Sequence, residues 1–111
     1  MKRLPWYVVG MVSACLWAGL AAAEEPSAVR KNEIINLLRQ DCGSCHGLTL
    51  RGGLGPPLLP ETLRDKDRES LQFTILLGRP GTPMPPWQQF LTQKEVVWLV
   101  GQLVEGMTDA N

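Results

Sequence analysis

Apolar residues recur at helical spacing in three segments of the chain. The segments are apolar at Ile34, Ile35, Leu37 and Leu38, at Leu71, Phe73, Ile75, Leu76 and Leu77, and at Val96, Trp98, Leu99, Val100, Leu103 and Val104. This spacing predicts helices over about residues 28–40, 68–77 and 93–104, with a short extra turn near residues 61–64. No run alternates between apolar and polar residues as a half-buried strand would, so the sequence predicts an all-α fold.

Residues that favour helix ends flank these segments. Ser27 and Asp67 precede the first two and can accept a hydrogen bond from a free amide of the first turn. Thr92 and Glu95 have the spacing of a capping box at the start of the third. Gly78 follows the second segment, at a position where glycine commonly ends a helix. The end signals and the apolar spacing therefore predict the same boundaries.

Two segments rich in glycine and proline, residues 47–60 and 78–86, separate the predicted helices. Long loops without secondary structure are uncommon in a compact domain unless they serve a function. Three short helices also make a small core, and domains of this size often need a metal or another non-protein group for stability. We therefore expect the loops to wrap around a flat, apolar group.

Residues 1–23 have the three parts of an export signal. Lys2 and Arg3 are positively charged, residues 4–20 are apolar and uncharged, and residues 21–23 are alanines of the kind that a signal peptidase requires. Cleavage after this segment predicts a protein of the periplasm. Two other interpretations stay open, since the apolar run is long enough for a retained membrane anchor and part of it resembles the lipobox of a lipoprotein.

The lipobox-like sequence is VSAC, which ends at Cys15. Cleavage of the signal would remove this cysteine and leave residues 24–111, one small domain of 88 residues without a second membrane-spanning stretch. Without Lys2 and Arg3 the domain would carry 9 basic and 11 acidic residues. It has no basic stripe, which argues against nucleic acid as a partner.

The residues with the most distinctive chemistry lie in the sequence CGSCH, residues 42–46. The spacing C-x-x-C-H is the attachment signature of a c-type haem. Cys42 and Cys45 lie about one helical turn apart, so both thiols can add to the haem vinyl groups, and His46 can donate a nitrogen to the iron. A disulfide would close a small, strained loop, a thioredoxin-like pair needs a βαβ pattern, and zinc needs about four ligands. The motif therefore predicts one covalently attached haem c.

His46 is the only histidine, so a second axial ligand of the iron must be of another kind. The candidates are Met84, Met107, a lysine or an empty position. Three prolines beside Met84 stiffen its loop and remove backbone donors, so we expect Met84 to be the ligand. His/Met ligation raises the reduction potential and leaves no open position for a substrate, which favours electron transfer. An open position would instead favour a peroxidase or a gas-binding protein.

Three further residues are candidates for contacts around the haem. The carbonyl of Pro56 could accept the other ring N–H of His46 and so fix the orientation of the imidazole. Trp87 and Arg79 each carry N–H donors that could bind a haem propionate. In the alternative, Trp87 is a core aromatic residue and Arg79 a solvated charge.

The chain resembles the class I cytochromes c over almost all of residues 28–105. The shared features are an N-terminal helix leading into CxxCH, a Gly-Pro-x-Leu-like element, a middle helix, a methionine loop with the sequence MPPW, and a C-terminal helix. The resemblance implies a small fold of three main helices and long loops around one covalent haem. It implies Cys42 and Cys45 as the thioether residues and His46 and Met84 as the axial ligands.

The family resemblance also implies that the first and last helices cross, with Gly101 allowing close approach and Trp98 nearby. More narrowly, the sequences DCGSCHG, GGLGPPLLPETL and LLGRPGTPMPPW resemble the small periplasmic cytochromes encoded beside the haem-c/haem-d nitrite reductase of denitrifying bacteria, the NirC type. This implies a one-electron carrier that meets redox partner proteins transiently, nitrite reductase among them. A factor for maturation of the nitrite reductase haem cofactor is the alternative. Nothing in the sequence demands more than a monomer.

Overall fold

A computed structural model describes residues 25–107 of the protein. The expected export signal, residues 1–23, lies outside this range. The helical elements are α1 (Ala28–Leu37), a π-helical turn (Leu38–Cys42), α2 (Gly43–His46), α3 (Pro60–Leu63), α4 (Arg68–Leu77) and α5 (Gln93–Glu105). Over the described residues there is no strand, which confirms the all-α prediction. None of these helices is long and apolar enough to cross a membrane.

The first helix continues without a break into the CxxCH motif. Leu38, Cys42 and Gly43 all keep right-handed helical backbone angles, and the amide of Gly43 donates to the carbonyl of Leu38, five residues earlier. The helical rod therefore runs from residue 28 to residue 46, and the prediction that it ends near residue 40 was wrong. A π-helical turn inside a helix is frequent at functional sites because it shifts the direction in which later side chains point.

The predicted helix caps are confirmed. The side chains of Ser27 and Asp67 each accept a hydrogen bond from the amide three residues further on, at 3.2 Å and 2.7 Å. Thr92 and Glu95 form both hydrogen bonds of a capping box. These caps satisfy amides that have no partner inside their own helix, which explains why local sequence located the helix starts well.

The hydrophobic core is small and comes mainly from α1, α5 and the loops. Its buried residues are Ile34, Leu38, Leu50, Leu63, Leu91, Val96, Leu99, Val100 and Leu103. Helix α4 contributes no buried residue, although it lies against α5. Phe73 and Leu77, which we expected to make core contacts, are 48% and 55% exposed. Leu71 and Ile75 of α4 are partly buried against the core and also line a cavity.

Helices α1 and α5 meet differently from what the family resemblance implies. Among the described residues, no heavy atom lies within 4 Å of a Cβ built at Gly101, so this glycine does not serve a close helix crossing. The side-chain contacts between α1 and α5 lie nearer the start of α5 than Gly101, at Glu95 and Trp98. There the ammonium of Lys31 is 5.7 Å from the ring centroid of Trp98, within the range of a cation–π interaction.

Arg30 is the main polar link between α1 and the start of α5. Its guanidinium donates to both carboxylate oxygens of Glu95, at 2.7 Å and 3.1 Å, and to the carbonyl of Phe90 at 2.8 Å. It also donates to Glu33, one turn along its own helix, at 2.8 Å. The hydrogen bonds from Arg30 hold the pKa of the Glu95 carboxyl below its usual value, and those carboxylates raise the pKa of Arg30. Glu95 thus closes the α5 capping box and pairs with α1 at once.

Glu95→Gln should reduce the acid sensitivity of folding. Glutamine can still close a capping box but cannot form the charged pair. Because folding lowers the pKa of Glu95, its stabilisation is complete above the ordinary carboxyl pKa and is lost as the pH falls through the lowered one. We expect the free energy of unfolding at neutral pH to fall by about 0.5–1 kcal/mol, a range that allows for solvent screening. Urea unfolding of the haem-loaded protein, from neutral pH to about pH 3, measures this.

Glu33→Gln is the matched control, because Glu33 also pairs with Arg30 but its side chain is 56% exposed, against 15% for Glu95. It should change the acid limb of the stability curve much less. Stability curves of the wild type and Glu95→Gln that run parallel over this pH range would contradict the role of the Arg30–Glu95 pair.

Candidate functional site

A cavity of about 690 Å³ lies between the helical rod, the loops and helices α3, α4 and α5. Its apolar lining is formed by Leu38, Leu54, Leu58, Leu63, Leu71, Ile75, Leu99, Val100 and Leu103 together with prolines of both loops. A volume of several hundred Å³ with mostly apolar walls is typical of a cofactor or ligand pocket. The polar residues that share this lining therefore define the candidate site.

The cavity brings together the three functional residues of the CGSCH motif. Cys42 ends the π-helical turn, and Cys45 and His46 lie on α2. All three side chains line the cavity, and the two cysteines are half-buried with free thiols. A spacing of three residues on a continuous helix places both thiols on the same side of the rod.

Cys42 lies in an environment that keeps its thiol protonated. Burial, and secondarily the neighbouring Asp41 carboxylate, raises the pKa of the Cys42 thiol to about 11. The described residues also contain no group of three or more His, Cys, Asp or Glu side chains that could hold a metal ion.

The ring of His46 is oriented by the loop that follows α2. Its Nδ1 lies 2.7 Å from the carbonyl oxygen of Pro56, the acceptor suggested by the sequence. A carbonyl oxygen can only accept, so Nδ1 carries the proton and donates it. The neutral ring then keeps a lone pair on Nε2, which is the nitrogen free to bind a metal.

Glycines of this loop allow the backbone to pack directly against α2. A Cβ at Gly55 would lie 2.7 Å from Cε1 and 2.8 Å from Nδ1 of His46, so no larger residue fits beside the ring. The amides of Gly52 and Gly55 donate at 2.8 Å to the carbonyls of His46 and Cys45 respectively. These carbonyls at the end of α2 have no partner within the helix. The sequence analysis missed the role of Gly55, and only its position before Pro56 pointed to it.

The structure separates the candidates for a second axial ligand. Met84 lines the same cavity as His46 and is half-buried. Met107 instead lines a separate cavity of about 150 Å³ beside α3 and α5. Lys66 is the one lysine among the described residues that lines the larger cavity, and its side chain is exposed. Of the two candidate methionines, only Met84 shares the cavity with His46.

The loop that carries Met84 is held against the end of α4. The amides of Trp87 and Gln88 donate to the carbonyls of Ile75 and Leu76, at 3.0 Å and 3.2 Å. Gly78 has φ of 67°, and a Cβ there would lie 2.7 Å from the carbonyl oxygen of Met84. A residue with a side chain is excluded at Gly78 both by its backbone angle and by this close approach.

Arg79 and Trp87 both line the cavity. The Arg79 side chain is exposed, and its guanidinium makes no hydrogen bond or ion pair with residues 25–107. Trp87 is half-buried, packs against the core and lies 5.8 Å from the ring of Phe90, measured between centroids. Its indole N–H donates to no other described residue. Trp87 is therefore a core-packed aromatic residue that also keeps a free donor at the cavity.

The donor set of the cavity fits a c-type haem. Two thiols one turn apart, an imidazole with Nε2 as its free lone pair, a thioether and apolar walls are the groups that attach, ligate and surround this cofactor. Two cationic side chains, Lys66 and Arg79, also line the cavity and suit the carboxylates of a porphyrin.

Comparisons with known proteins point to the same class. A family model described as cytochrome C oxidase, cbb3-type, subunit III, matches residues 31–101. Cytochrome c55X of Pseudomonas aeruginosa is 54% identical over 101 residues, which cover 91% of this chain and 84% of that protein. A solved structure of the c-type cytochrome NirC is 58% identical with a TM-score of 0.72, covering 74% of this chain and 96% of that one. Dihydro-heme d1 dehydrogenase of Pseudomonas aeruginosa is 38% identical over 77 residues. This match covers 69% of this chain but only 14% of the length of the dehydrogenase.

These similarities confirm the resemblance to the class I cytochromes c and to the NirC type. The protein is a monohaem c-type cytochrome, and its cofactor is a covalently bound haem c. The matched residues 31–101 include the CxxCH motif, Met84 and most of the cavity lining. Since the match covers well over half of the chain, the chain belongs to the cytochrome c family described as cytochrome C oxidase, cbb3-type, subunit III.

Proposed function

We propose that the protein is a periplasmic one-electron carrier with a single haem c. The observation that carries the proposal is the presence of Cys42, Cys45, His46 and Met84 in the lining of one cavity. In the proposal the two cysteines form the thioether bonds, and His46 and Met84 are the axial ligands of the iron. The haem, when bound, supplies one-electron exchange at its iron.

The two axial residues determine which chemistry the site performs. His46 would offer Nε2 to the iron, and the hydrogen bond from Nδ1 to the carbonyl of Pro56 fixes the orientation of the ring. Met84 would be the second protein ligand of the iron and would leave no open position for a peroxide or a gas molecule. Two protein ligands and a mostly apolar lining favour electron transfer over a haem enzyme.

The residues around the ligands exclude water and neutralise charge. Leucines and valines from α3 and α5 line the cavity and keep a low dielectric environment around the metal. Arg79 and Trp87 carry N–H groups without partners in the described part of the chain, and we assign them to the haem propionates. Burial of a carboxylate beside an apolar wall requires such donors.

The proposed partner is the haem-c/haem-d nitrite reductase, because the sequence resembles the NirC type. Docking of a small cytochrome to its partner is expected to be weak and transient, as for other small redox encounters. The carrier would act as a monomer. Residues 1–23 would direct export and be removed, and residues 24–111 would form the cytochrome domain in the periplasm.

One observation favours a second candidate function, a role in maturation of the nitrite reductase haem. The chain is 38% identical, over 77 residues, to a protein named dihydro-heme d1 dehydrogenase. A cytochrome domain with this relationship could accept electrons during synthesis of a partner's cofactor. The geometry of the site suits both functions, since both need one-electron exchange at the same iron.

Met84→Ala should remove the absorption band of ferric iron bound to methionine. It should also lower the reduction potential, because thioether ligation raises it. Met107→Ala is the matched control, since Met107 lines a separate cavity and should leave band and potential unchanged. Visible spectra and potentiometric titration measure both effects. A Met84→Ala protein that retains the band would remove Met84 from the iron and reopen Met107 as the methionine ligand.

The intact mass of the exported protein should equal that of residues 24–111 plus one haem. Mass spectrometry of the periplasmic fraction reports the cleavage site, any lipid and the covalent haem in one measurement. The Cys42→Ser and Cys45→Ser variants should each keep one thioether bond and retain the haem in acid-acetone, whereas the double variant should release it. A mass equal to that of the polypeptide alone would rule out covalent attachment.

Reduced protein should transfer its electron to purified nitrite reductase in a second-order reaction, observed by stopped-flow absorbance.

A gene deletion distinguishes the electron-carrier function from the maturation function. If the protein is a carrier, nitrite reductase from the deletion strain still holds its full cofactor set. A reductase without its haem d in that strain, restored by the wild-type gene, would instead establish the maturation role.

A further inference from the structure

The loop that carries Met84 contains few groups that can hold it in place. Four of the eight residues from position 79 to position 86 are prolines, which have no amide hydrogen to donate. No described heavy atom lies within 4 Å of a Cβ built at Gly81, so this turn of the loop has few contacts with the rest of the described protein. Apart from the hydrogen bonds of Trp87 and Gln88 to α4, the loop is held by hydrogen bonds that it forms with itself.

The side chain of Thr82 is at the centre of these hydrogen bonds. Its hydroxyl donates to the carbonyl of Arg79 at 2.7 Å and accepts from the amide of Met84 at 3.3 Å. The amide of Thr82 also donates to the Arg79 carbonyl, and the amide of Arg79 donates to the carbonyl of Met84, both at 3.1 Å. The three residues form a closed ring of hydrogen bonds, and Thr82 supplies its only side-chain member.

We propose that Thr82 is a positioning residue for Met84, whose hydroxyl keeps the thioether on the iron. The inference rests on the proposed ligation by Met84. Without the hydroxyl, the Met84 amide loses its acceptor and one link between the two sides of the loop is lost. The bonds to α4 at Trp87 and Gln88 remain, so the loop stays attached while its tip gains freedom. The state in which Met84 has left the iron then becomes more populated.

Displacement of Met84 by imidazole measures the population of this released state. The apparent dissociation constant of an added ligand is inversely proportional to the fraction of protein that is competent to bind it, so a larger released fraction gives tighter binding. We expect Thr82→Val to bind imidazole about tenfold more tightly in the ferric form, a factor that corresponds to the net strength of one or two neutral hydrogen bonds. Thr82→Ser keeps the hydroxyl and should stay within about twofold of wild type.

Two further measurements separate positioning from a general loss of structure. Thr49→Val is the control for replacing an exposed hydroxyl by a methyl group, because Thr49 is exposed and its hydroxyl has no partner among the described residues. It should bind imidazole as the wild type does. Far-ultraviolet circular dichroism of Thr82→Val should match the wild type, since no helix includes residue 82.

The outcomes distinguish this inference from the proposed function. Tighter imidazole binding by Thr82→Val, with recovery in Thr82→Ser, supports the positioning role. Equal imidazole affinity in wild type and Thr82→Val, with the methionine–iron band present in both, overturns it and leaves ligation by Met84 intact. Absence of the band from the wild type overturns ligation by Met84 and the role of Thr82 together.

Discussion

Close approach of the backbone to the two proposed iron ligands is the constraint on which the site depends. On one side Gly55 lies against the His46 ring, where a Cβ would come within 2.8 Å of Nδ1. On the other side Gly78 lies against the Met84 carbonyl with a positive φ. Neither approach is possible with a side chain present, so two glycines in separate loops allow the backbone to pack against the imidazole ring and against the main chain of Met84.

The same residues form much of the core and the wall of the cavity. Five of the nine buried side chains, Leu38, Leu63, Leu99, Val100 and Leu103, also line the cavity. In a domain this small the core alone supplies limited stability, and a group that binds only the folded state adds to it. Helix α4 illustrates this coupling, since Leu71 and Ile75 face the cavity and none of its side chains is fully buried. Folding and cofactor binding are therefore expected to depend on each other.

The sequence predicted those features that local interactions determine. The bounds of α4, the caps at Ser27, Asp67 and Thr92, and the haem attachment motif follow from residues close together in the chain. The π-helical turn and the close approach at Gly55 were missed because no pattern of residue spacing marks either feature in the sequence. The family resemblance suggested a helix crossing at Gly101, whereas the structure has open space there among the described residues and an ion pair nearer the start of α5.

The two proposed ligands differ in how they are held, and this difference bears on whether the proposed bond to Met84 stays closed. His46 follows a continuous helix whose last carbonyls accept from two loop amides, and its ring is fixed by Pro56. Met84 lies in an exposed loop tied mainly by bonds within the loop and by two amides at its far end. If one axial bond opens, it is therefore the one to Met84. A carrier needs this bond to stay closed so that little rearrangement accompanies electron transfer, whereas a centre that bound another molecule would need it to open. If Met84 is the ligand, the internal hydrogen bonds of its loop therefore help to keep this bond closed, as an electron carrier requires.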